Sequence, residues 1–337
     1  MLKNRNLKIF VSIILGIILF YFWFKMIDRN ALIGYLKQVN FGLACLAFFV
    51  YIFSYYIRAY RWKIILSPNC KIKQKDSFAY LMAGNFINYI IPIRAGELAK
   101  CYLLNRNHKL EVSKAFSSVF VDKLFDTLGI FIILLLIPFI PLQLNKYLFS
   151  LIFLLLLIFL LGVFIILFAS LKKEKAISFL NISFFFLPNK YKKKVEQLIN
   201  QFVDGVALFK GRTNLLNISI LLTVFSVVCD SLFFWLLFRS FEQNIEFFYV
   251  LFGYTLIYLS YILPHPPAQI GSNELIAVLI FTWGFGLSKN MVSAVMAFSH
   301  LITGIIVILV GLISLSYAGM KVIDFMKYEG KNETIRK

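Results

Sequence analysis

Long apolar runs separated by short basic segments make up most of the chain. A helix needs about 20 apolar residues to cross a bilayer. The runs that reach or approach this length are Leu7 to Ile27, Phe41 to Ile57, Ala115 to Ile140, Tyr147 to Ala169, Leu215 to Phe238 and Met291 to Tyr317. The pattern predicts an all-α, polytopic membrane protein with about six full spans, forming one membrane domain over residues 1–337.

Two further apolar segments are interrupted by proline and glycine. The first, residues 78–104, is broken at Pro92 and Gly96. The second, residues 247–286, is broken at Pro264, Pro267 and Gly271. Because proline ends a helix and glycine weakens one, each segment is predicted to form two short helices around a break. We interpret both as re-entrant helical hairpins.

The distribution of basic residues tests this interpretation. If both broken segments return to the side they left, 28 of the 35 Lys and Arg residues lie on one face and six on the other. The positive-inside rule then places both termini in the cytoplasm. A full crossing by the first segment would put the Lys-rich residues 171–214 outside. The second segment stays open between a hairpin and two short spans, since both leave the flanking loops on the same sides.

The predicted topology contains two similar halves. Residues 41–140 and 215–317 each run through a span, a broken segment and a second span, and the two halves have opposite orientations. This order is typical of inverted-topology repeats whose broken helices meet near the membrane midplane. Between the halves, residues 171–214 are predicted to contain a cytoplasmic amphipathic helix that lies on the membrane surface, with recognition of a soluble partner as the alternative.

Composition narrows the class of protein. The chain is 60% apolar with a mean hydropathy of +0.81, too apolar for a soluble domain of this size. Its net charge of +19 resides mainly in short loops, where anionic lipids rather than nucleic acid are the expected partners. Cysteine and histidine show no ligand spacing and no nucleotide-binding motif is present, so we expect neither metal nor cofactor. The other partners left open by the sequence are a second copy of the chain and a soluble cytoplasmic protein.

Ionisable residues within apolar segments are costly and commonly functional. Arg94, Glu97 and Lys100 surround the first break. The half-helix that begins there points its free N–H groups into the protein, and a phosphate is a natural ligand for them, with Arg94 supplying a bidentate contact. The structural alternative is that Glu97 complements its own helix terminus or pairs with Arg94.

Similar reasoning applies at the second break. Ser272 or Asn273 is expected to cap the half-helix that Glu274 opens, and Glu274 either complements that terminus or contacts substrate. The other ionisable residues in predicted spans are Lys123, Asp230 and His300.

Two further sets of charged residues can be interpreted either as lying at the membrane interface or as contacting substrate. Asp122 and Asp126 are four residues apart and share a helix face. They form either an interfacial charge cluster or part of a substrate path. Arg58, Arg61 and Trp62 follow the second span, where such residues commonly anchor a helix at the headgroups; contact with substrate is the alternative.

These residues also carry a resemblance to a known family. The motifs are Arg58, Arg61-Trp62, Gly84-Asn85, Pro92-x-Arg94-x-Gly96-Glu97, Ser113-Lys114-Ala115-Phe116, Asp122-Lys123-Leu124-x-Asp126 and Pro264-x-x-Pro267-Ala268-x-x-Gly271-x-x-Glu274. Together they resemble the lysylphosphatidylglycerol synthetase transmembrane family, a flippase-like group. Ala268 and Gln269 stand where that family usually has glycines. The resemblance implies a stand-alone membrane module without the aminoacyl-transfer domain, and it adds Asn85 to the candidate substrate-binding residues.

The leading hypothesis is translocation of a phosphate-bearing lipid across the cytoplasmic membrane. The substrate-binding candidates are Arg58, Arg61, Asn85, Arg94, Glu97, Lys100, Asp122, Asp126, Asn273 and Glu274. An enzyme is less favoured, because no nucleophile stands beside the carboxylates in sequence. The alternatives are a membrane-embedded lipid headgroup or glycolipid transferase and a non-transporting membrane scaffold.

Overall fold

The structure is a computed structural model that describes residues 2–91, 95–136, 211–261 and 265–320, with position 209 and scattered positions between 139 and 160. Every regular element in these residues is helical, as the apolar runs predict for a helical membrane protein. The helices are α1 (Leu2–Lys25), α2 (Arg29–Lys37), α3 (Phe41–Leu66), α4 (Gln74–Ile90), α5 (Gly96–His108), α6 (Val112–Leu134), α7 (Thr213–Ser240), α8 (Phe247–Ser260), α9 (Ser272–Val278) and α10 (Lys289–Tyr317).

Five helices coincide with predicted spans. Among the described residues α3, α7 and α10 are long and apolar enough to cross a membrane. Helix α3 continues past the predicted end at Ile57 to Leu66, so it carries Arg58 and Arg61 within the helix. The short helix α2 was not predicted; the Asp28 side chain caps it by accepting from the N–H groups of Asn30 and Ala31. The predicted span at 147–169 and the linker at 171–214 lie largely outside the described residues.

The first broken segment consists of α4 and α5, which pack tightly against each other. The closest approach is between Gly84 and Gly96, where a Cβ atom added to Gly96 would lie 1.9 Å from the Gly84 carbonyl oxygen. The Gly96 N–H donates to Asn88 Oδ1 at 2.7 Å, so one free N–H at the start of α5 is satisfied by α4. Positions 92–94 between the helices lie outside the described residues.

The second broken segment consists of α8, a 3₁₀ turn at Pro267–Gln269, and α9, which continues as a π-helical turn at Leu279–Gly284. Gly271 occupies the N-cap position of α9 with φ +79°, and its N–H donates to Glu274 Oε2 at 2.9 Å. The prediction that Ser272 or Asn273 caps this helix is therefore wrong, because the Ser272 hydroxyl donates instead to the Gln269 carbonyl. Glu274 complements its own helix terminus.

Helix α1 crosses this second break. A Cβ atom on Gly271 would lie 2.4 Å from the Phe20 backbone nitrogen, and one on Gly16 would lie 2.7 Å from Pro266 Cβ. These contacts require glycine on both sides of the crossing. Helix α1 therefore packs directly against the second break.

The remaining helices form two similar series. From α3 to α6 and from α7 to α10, each series has a long helix, two shorter helices around a break, and another long helix. Among the described helices, the first of each series, α3 and α7, share the most extensive interface. Small and polar residues such as Ala47, Ser54 and Ser226 are buried there. Small side chains allow close helix packing in membrane proteins.

Candidate functional site

A polar cavity of about 560 Å³ lies where α3 to α10 converge. This volume is within the range of ligand-binding sites in proteins. The charged residues in its wall are Arg58, Glu97, Lys100, Asp122, Lys123, Asp126 and Asp230. Amide, hydroxyl and imidazole side chains complete the polar lining. The cavity is thus the natural candidate for a binding site.

Most of the predicted substrate-binding residues lie in or directly behind this wall. Those that line the cavity are Arg58, Asn85, Glu97, Lys100, Asp122, Asp126 and Asn273. Arg61 and Glu274 lie behind the wall and contact residues in it. Gly96, Pro267 and Gly271 shape the breaks, while Pro92, Arg94 and Pro264 lie outside the described residues.

Arg58 on α3 forms a buried ion pair with Asp230 on α7. Both guanidinium NH groups donate to the carboxylate, one to Oδ1 at 3.2 Å and the other in a shorter contact with Oδ2. Ser54 and Tyr254 also donate to Asp230, the tyrosine at 2.7 Å. A buried carboxylate needs several donors to offset its lost hydration, and Asp230 receives them from two helices, α3 and α8.

Arg61 occupies the centre of a second buried network. It donates to Asp122 Oδ1 at 2.8 Å, to Asp126 Oδ1 at 2.6 Å and to Thr223 Oγ1 at 2.9 Å, and its side chain is 1% exposed. Trp62 is completely buried beside it. The interpretation of Arg61 and Trp62 as headgroup anchors is therefore wrong, and the two aspartates belong to the protein interior rather than to an interfacial cluster.

Two lysines extend the network along the cavity wall. Lys100 Nζ lies 3.9 Å from Asp122 Oδ2 and 5.2 Å from the Trp62 ring centroid. Lys123 Nζ lies 3.3 Å from Asp126 Oδ2 and 3.8 Å from Glu97 Oε1. The Lys100 side chain is 3% exposed, whereas that of Lys123 is 42% exposed. Lys100 is therefore a buried cation whose nearest carboxylate is beyond hydrogen-bonding distance.

Two buried donors of wall residues have no hydrogen-bond partner among the described residues. They are Arg58 Nε, which lies 3.9 Å from Asp126 Oδ1, and Asn85 Nδ2. Buried polar groups are nearly always hydrogen-bonded, so an unsatisfied donor at a cavity indicates a place for an acceptor. With Lys100, these atoms provide a donor set suited to a phosphate oxygen.

The second break contributes a smaller polar group. His300 on α10 lines the cavity and makes a short hydrogen bond to Glu274 on α9. Asn273 Nδ2 donates to Tyr261 Oη at 3.1 Å and to Gln269 Oε1 at 2.7 Å. These bonds hold the start of α9 against α8 and α10, so the break has a defined position in the cavity wall.

Sequence reasoning missed the tyrosines of the cavity. Tyr51 and Tyr55 lie on α3, Tyr89 on α4, Tyr254 and Tyr258 on α8, and Tyr261 at the C-cap of α8. Their spacing in the sequence was a signal. Tyr51 and Tyr55 are four residues apart, and Tyr254, Tyr258 and Tyr261 follow the spacing of one helix face. In an apolar segment that spacing does not distinguish a cavity wall from a lipid-facing surface.

Sequence comparisons with known proteins identify relatives of this chain. Residues 9–311 match the family described as the lysylphosphatidylglycerol synthase TM region. A UPF0104 membrane protein of Methanocaldococcus jannaschii is 28% identical over 322 residues, which is 92% of this chain and 96% of that protein. The glycosyltransferase AglD of Haloferax volcanii is 24% identical over 131 residues, 38% of this chain and 20% of that enzyme. The chain belongs to the lysylphosphatidylglycerol synthase transmembrane-region family.

Proposed function

We propose that this protein translocates a lipid with a phosphate-bearing headgroup across the cytoplasmic membrane. The observation that carries the proposal is the pair of unsatisfied donors, Arg58 Nε and Asn85 Nδ2, in a polar cavity built from both halves of the chain. Both atoms are enclosed by protein, so a rotation of each side chain toward the cavity would let a headgroup phosphate accept from them, with Lys100 supplying charge compensation. The acyl chains would stay in the surrounding lipid.

The arrangement of helices supports alternating access. The series α3 to α6 and α7 to α10 have the same order of long and short helices, and the cavity lies between them. Under the proposal these are inverted repeats, each with a re-entrant hairpin, and movement of one against the other exposes the cavity to either leaflet. Both termini are cytoplasmic in this topology. Membrane lipids are then the partners of the site.

Reconstitution into liposomes tests the proposal. Leaflet accessibility of labelled phosphatidylglycerol, phosphatidylcholine and polyprenyl phosphate is followed over time with wild-type protein. We expect Lys100→Gln and Asn85→Leu to slow movement of the preferred lipid about tenfold to a hundredfold, since each removes a hydrogen bond to charge worth about 1.5–3 kcal/mol. Lys114→Gln is the matched control, because Lys114 is exposed and pairs only with its helix neighbour Glu111 among the contacts found.

The outcomes separate the proposal from its alternatives. Wild-type rates equal to those of protein-free liposomes for all three lipids would reject translocation of these lipids. Wild-type rates in folded Lys100→Gln and Asn85→Leu protein would reject the assigned site.

A transferase is the second candidate function. It is favoured by the cavity carboxylates Glu97 and Asp126 and by the glycosyltransferase among the relatives. Appearance of a new lipid species on supplying a sugar donor, without leaflet exchange, would support it instead.

A further inference from the structure

The tyrosines form an aromatic wall in the cavity, in two groups of neighbouring rings. On α8 and at its C-cap, the ring centroids of Tyr254 and Tyr258 are 5.9 Å apart, and those of Tyr258 and Tyr261 are 5.2 Å apart. The Tyr261 ring lies 5.2 Å from that of His265. Tyr51 and Tyr55 on α3 contribute a second pair 5.0 Å apart. Such a wall offers flat apolar faces with hydroxyl groups at their edges.

Amide and hydroxyl groups face the same space. Asn85, Asn88, Gln269, Ser299 and Thr303 all line the cavity. Asn85 Nδ2 has no hydrogen-bond partner among the described residues, whereas Asn88 donates to Glu97, Ser299 to the Met296 carbonyl and Thr303 to the His300 carbonyl. The hydroxyl oxygens of Ser299 and Thr303 can still accept, so the lining offers hydrogen-bonding groups without a net charge. Apolar faces combined with many neutral hydrogen-bonding groups are what a sugar ring requires, because it presents C–H faces and hydroxyl edges.

The charges of the wall argue against a headgroup with several charges. The carboxylates of Asp122, Asp126 and Asp230 are each within 4 Å of an arginine or lysine nitrogen. Glu97 is likewise 3.8 Å from Lys123 Nζ. A multiply charged headgroup would have to break these pairs, which is costly in a buried site. The free donors suffice for a single phosphate.

The same charges disfavour a quaternary ammonium headgroup. Aromatic cages bind quaternary ammonium groups because the positive charge is attracted to the faces of the aromatic rings. Here the guanidinium of Arg58 already lies 5.3 Å from the Tyr55 ring centroid and 6.0 Å from that of Tyr258. A second fixed cation at these faces would be repelled.

We propose that the cavity binds a lipid whose headgroup carries a sugar next to a single phosphate, with the sugar against Tyr258 and Tyr261 and the phosphate near Arg58, Asn85 and Lys100. The inference rests on the proposed function and specifies its substrate class. It assigns the tyrosine wall as the specificity element and the free donors as the phosphate site.

Binding of radiolabelled lipids to the full chain in phosphatidylglycerol nanodiscs tests the inference. The probes are a polyprenyl phosphate, the same lipid carrying one hexose, and phosphatidylcholine. We expect the hexose-bearing lipid to bind about five- to tenfold more tightly than the other two, the range expected for one or two aromatic contacts. Tyr258→Ala and Tyr261→Ala are expected to remove most of this preference, and Tyr258→Phe to keep it because the ring remains.

The matched control is Phe248→Ala, an exposed aromatic residue on the same helix that does not line the cavity. It is expected to bind all three lipids as wild type does. Equal wild-type binding of the hexose-bearing and bare phosphate lipids would overturn the inference even if the tyrosine variants fail to fold. Tightest binding of phosphatidylcholine would also overturn it.

Translocation measured on the same preparations distinguishes the two proposals. Tyrosine-dependent binding of the hexose-bearing lipid without movement would reject translocation and leave the sugar site standing. Movement of the bare phosphate lipid as fast as the hexose-bearing one, with equal binding, would support translocation and overturn the sugar specificity.

Discussion

Arg58 and Asp230 form a buried ion pair between α3 and α7, although they are 172 residues apart in sequence. The pair connects the first half of the chain to the second at the wall of the cavity. Ser54 and Tyr254 complete the hydrogen bonding of the carboxylate. Because both charged groups are buried, each depends on the other for its stability.

Removing one partner should therefore cost more than removing both. We expect Asp230→Asn to lower the free energy of unfolding by about 3–5 kcal/mol, because it removes the carboxylate that Arg58 contacts most closely and leaves only Asp126, at 3.9 Å, among the described carboxylates. The double variant Arg58→Met/Asp230→Leu should recover most of that loss. Thermal unfolding in detergent measures both.

The control for these two variants is Glu111→Gln, which breaks an exposed ion pair to Lys114 and should change the free energy of unfolding by less than about 1 kcal/mol. Equal destabilisation by Asp230→Asn and by the double variant would show that the pair does not stabilise the fold as described.

A second prediction concerns the close contact between Gly84 and Gly96. Gly96→Ala would place a Cβ atom 1.9 Å from the Gly84 carbonyl oxygen, so α4 and α5 must separate. We expect a loss of about 1–3 kcal/mol in unfolding free energy and reduced lipid movement, since both helices line the cavity.

Gly34→Ala in α2 is the matched control for that variant. No atom lies within 4 Å of the added Cβ, so replacing a helical glycine should be neutral or stabilise by about 0.5–1 kcal/mol. Gly96→Ala protein that unfolds at the wild-type temperature would contradict the close approach.

The second break predicts a stabilising substitution. Ala268 and Gln269 adopt left-handed conformations, with φ values of 52° and 62°, at positions where glycine is usual in the resembled family. A left-handed conformation costs a non-glycine residue about 1–2 kcal/mol. Ala268→Gly should raise the unfolding temperature, because relief of this strain exceeds the added entropy of the unfolded chain.

Ala297→Gly within α10 provides the comparison, since glycine in a regular helix lowers stability by about 1 kcal/mol. If both alanine-to-glycine variants lower the unfolding temperature equally, the strained backbone at Ala268 is not supported.

Site-directed labelling tests the topology. In a chain whose four native cysteines are replaced by serine, Asn69→Cys and Glu111→Cys flank the first broken segment at exposed positions. A re-entrant hairpin predicts that an impermeant maleimide labels both from the cytoplasmic side. Glu246→Cys, between α7 and α8, should be labelled from the opposite side.

Native Cys70 is a poor reporter for this experiment, because burial raises the pKa of its thiol and so reduces the reactive thiolate. Labelling of Asn69→Cys and Glu111→Cys from opposite sides would show that the first broken segment crosses the membrane completely. That result would also invert the predicted position of every later loop.

Many candidate site residues were recognisable because ionisable groups are conspicuous in apolar segments. Asp122, Asp126, Lys100 and Glu97 were identified in this way, and all four line the cavity. Their partners were not recognisable. In the sequence Arg61 lies beyond the predicted end of a span, because the apolar run stops at Ile57. In the structure the helix continues to Leu66. Its burial depends on the carboxylates that α6 places against it.

The sequence alone determined that the protein is a helical membrane protein and where its helices are interrupted, because hydrophobicity, proline and glycine act over a few neighbouring residues. Tertiary structure alone decided that Arg58 meets Asp230, that Gly84 meets Gly96, and that the tyrosines of α3 and α8 face one cavity. Those relationships depend on the rotation and crossing of helices distant along the chain. No local pattern specifies them.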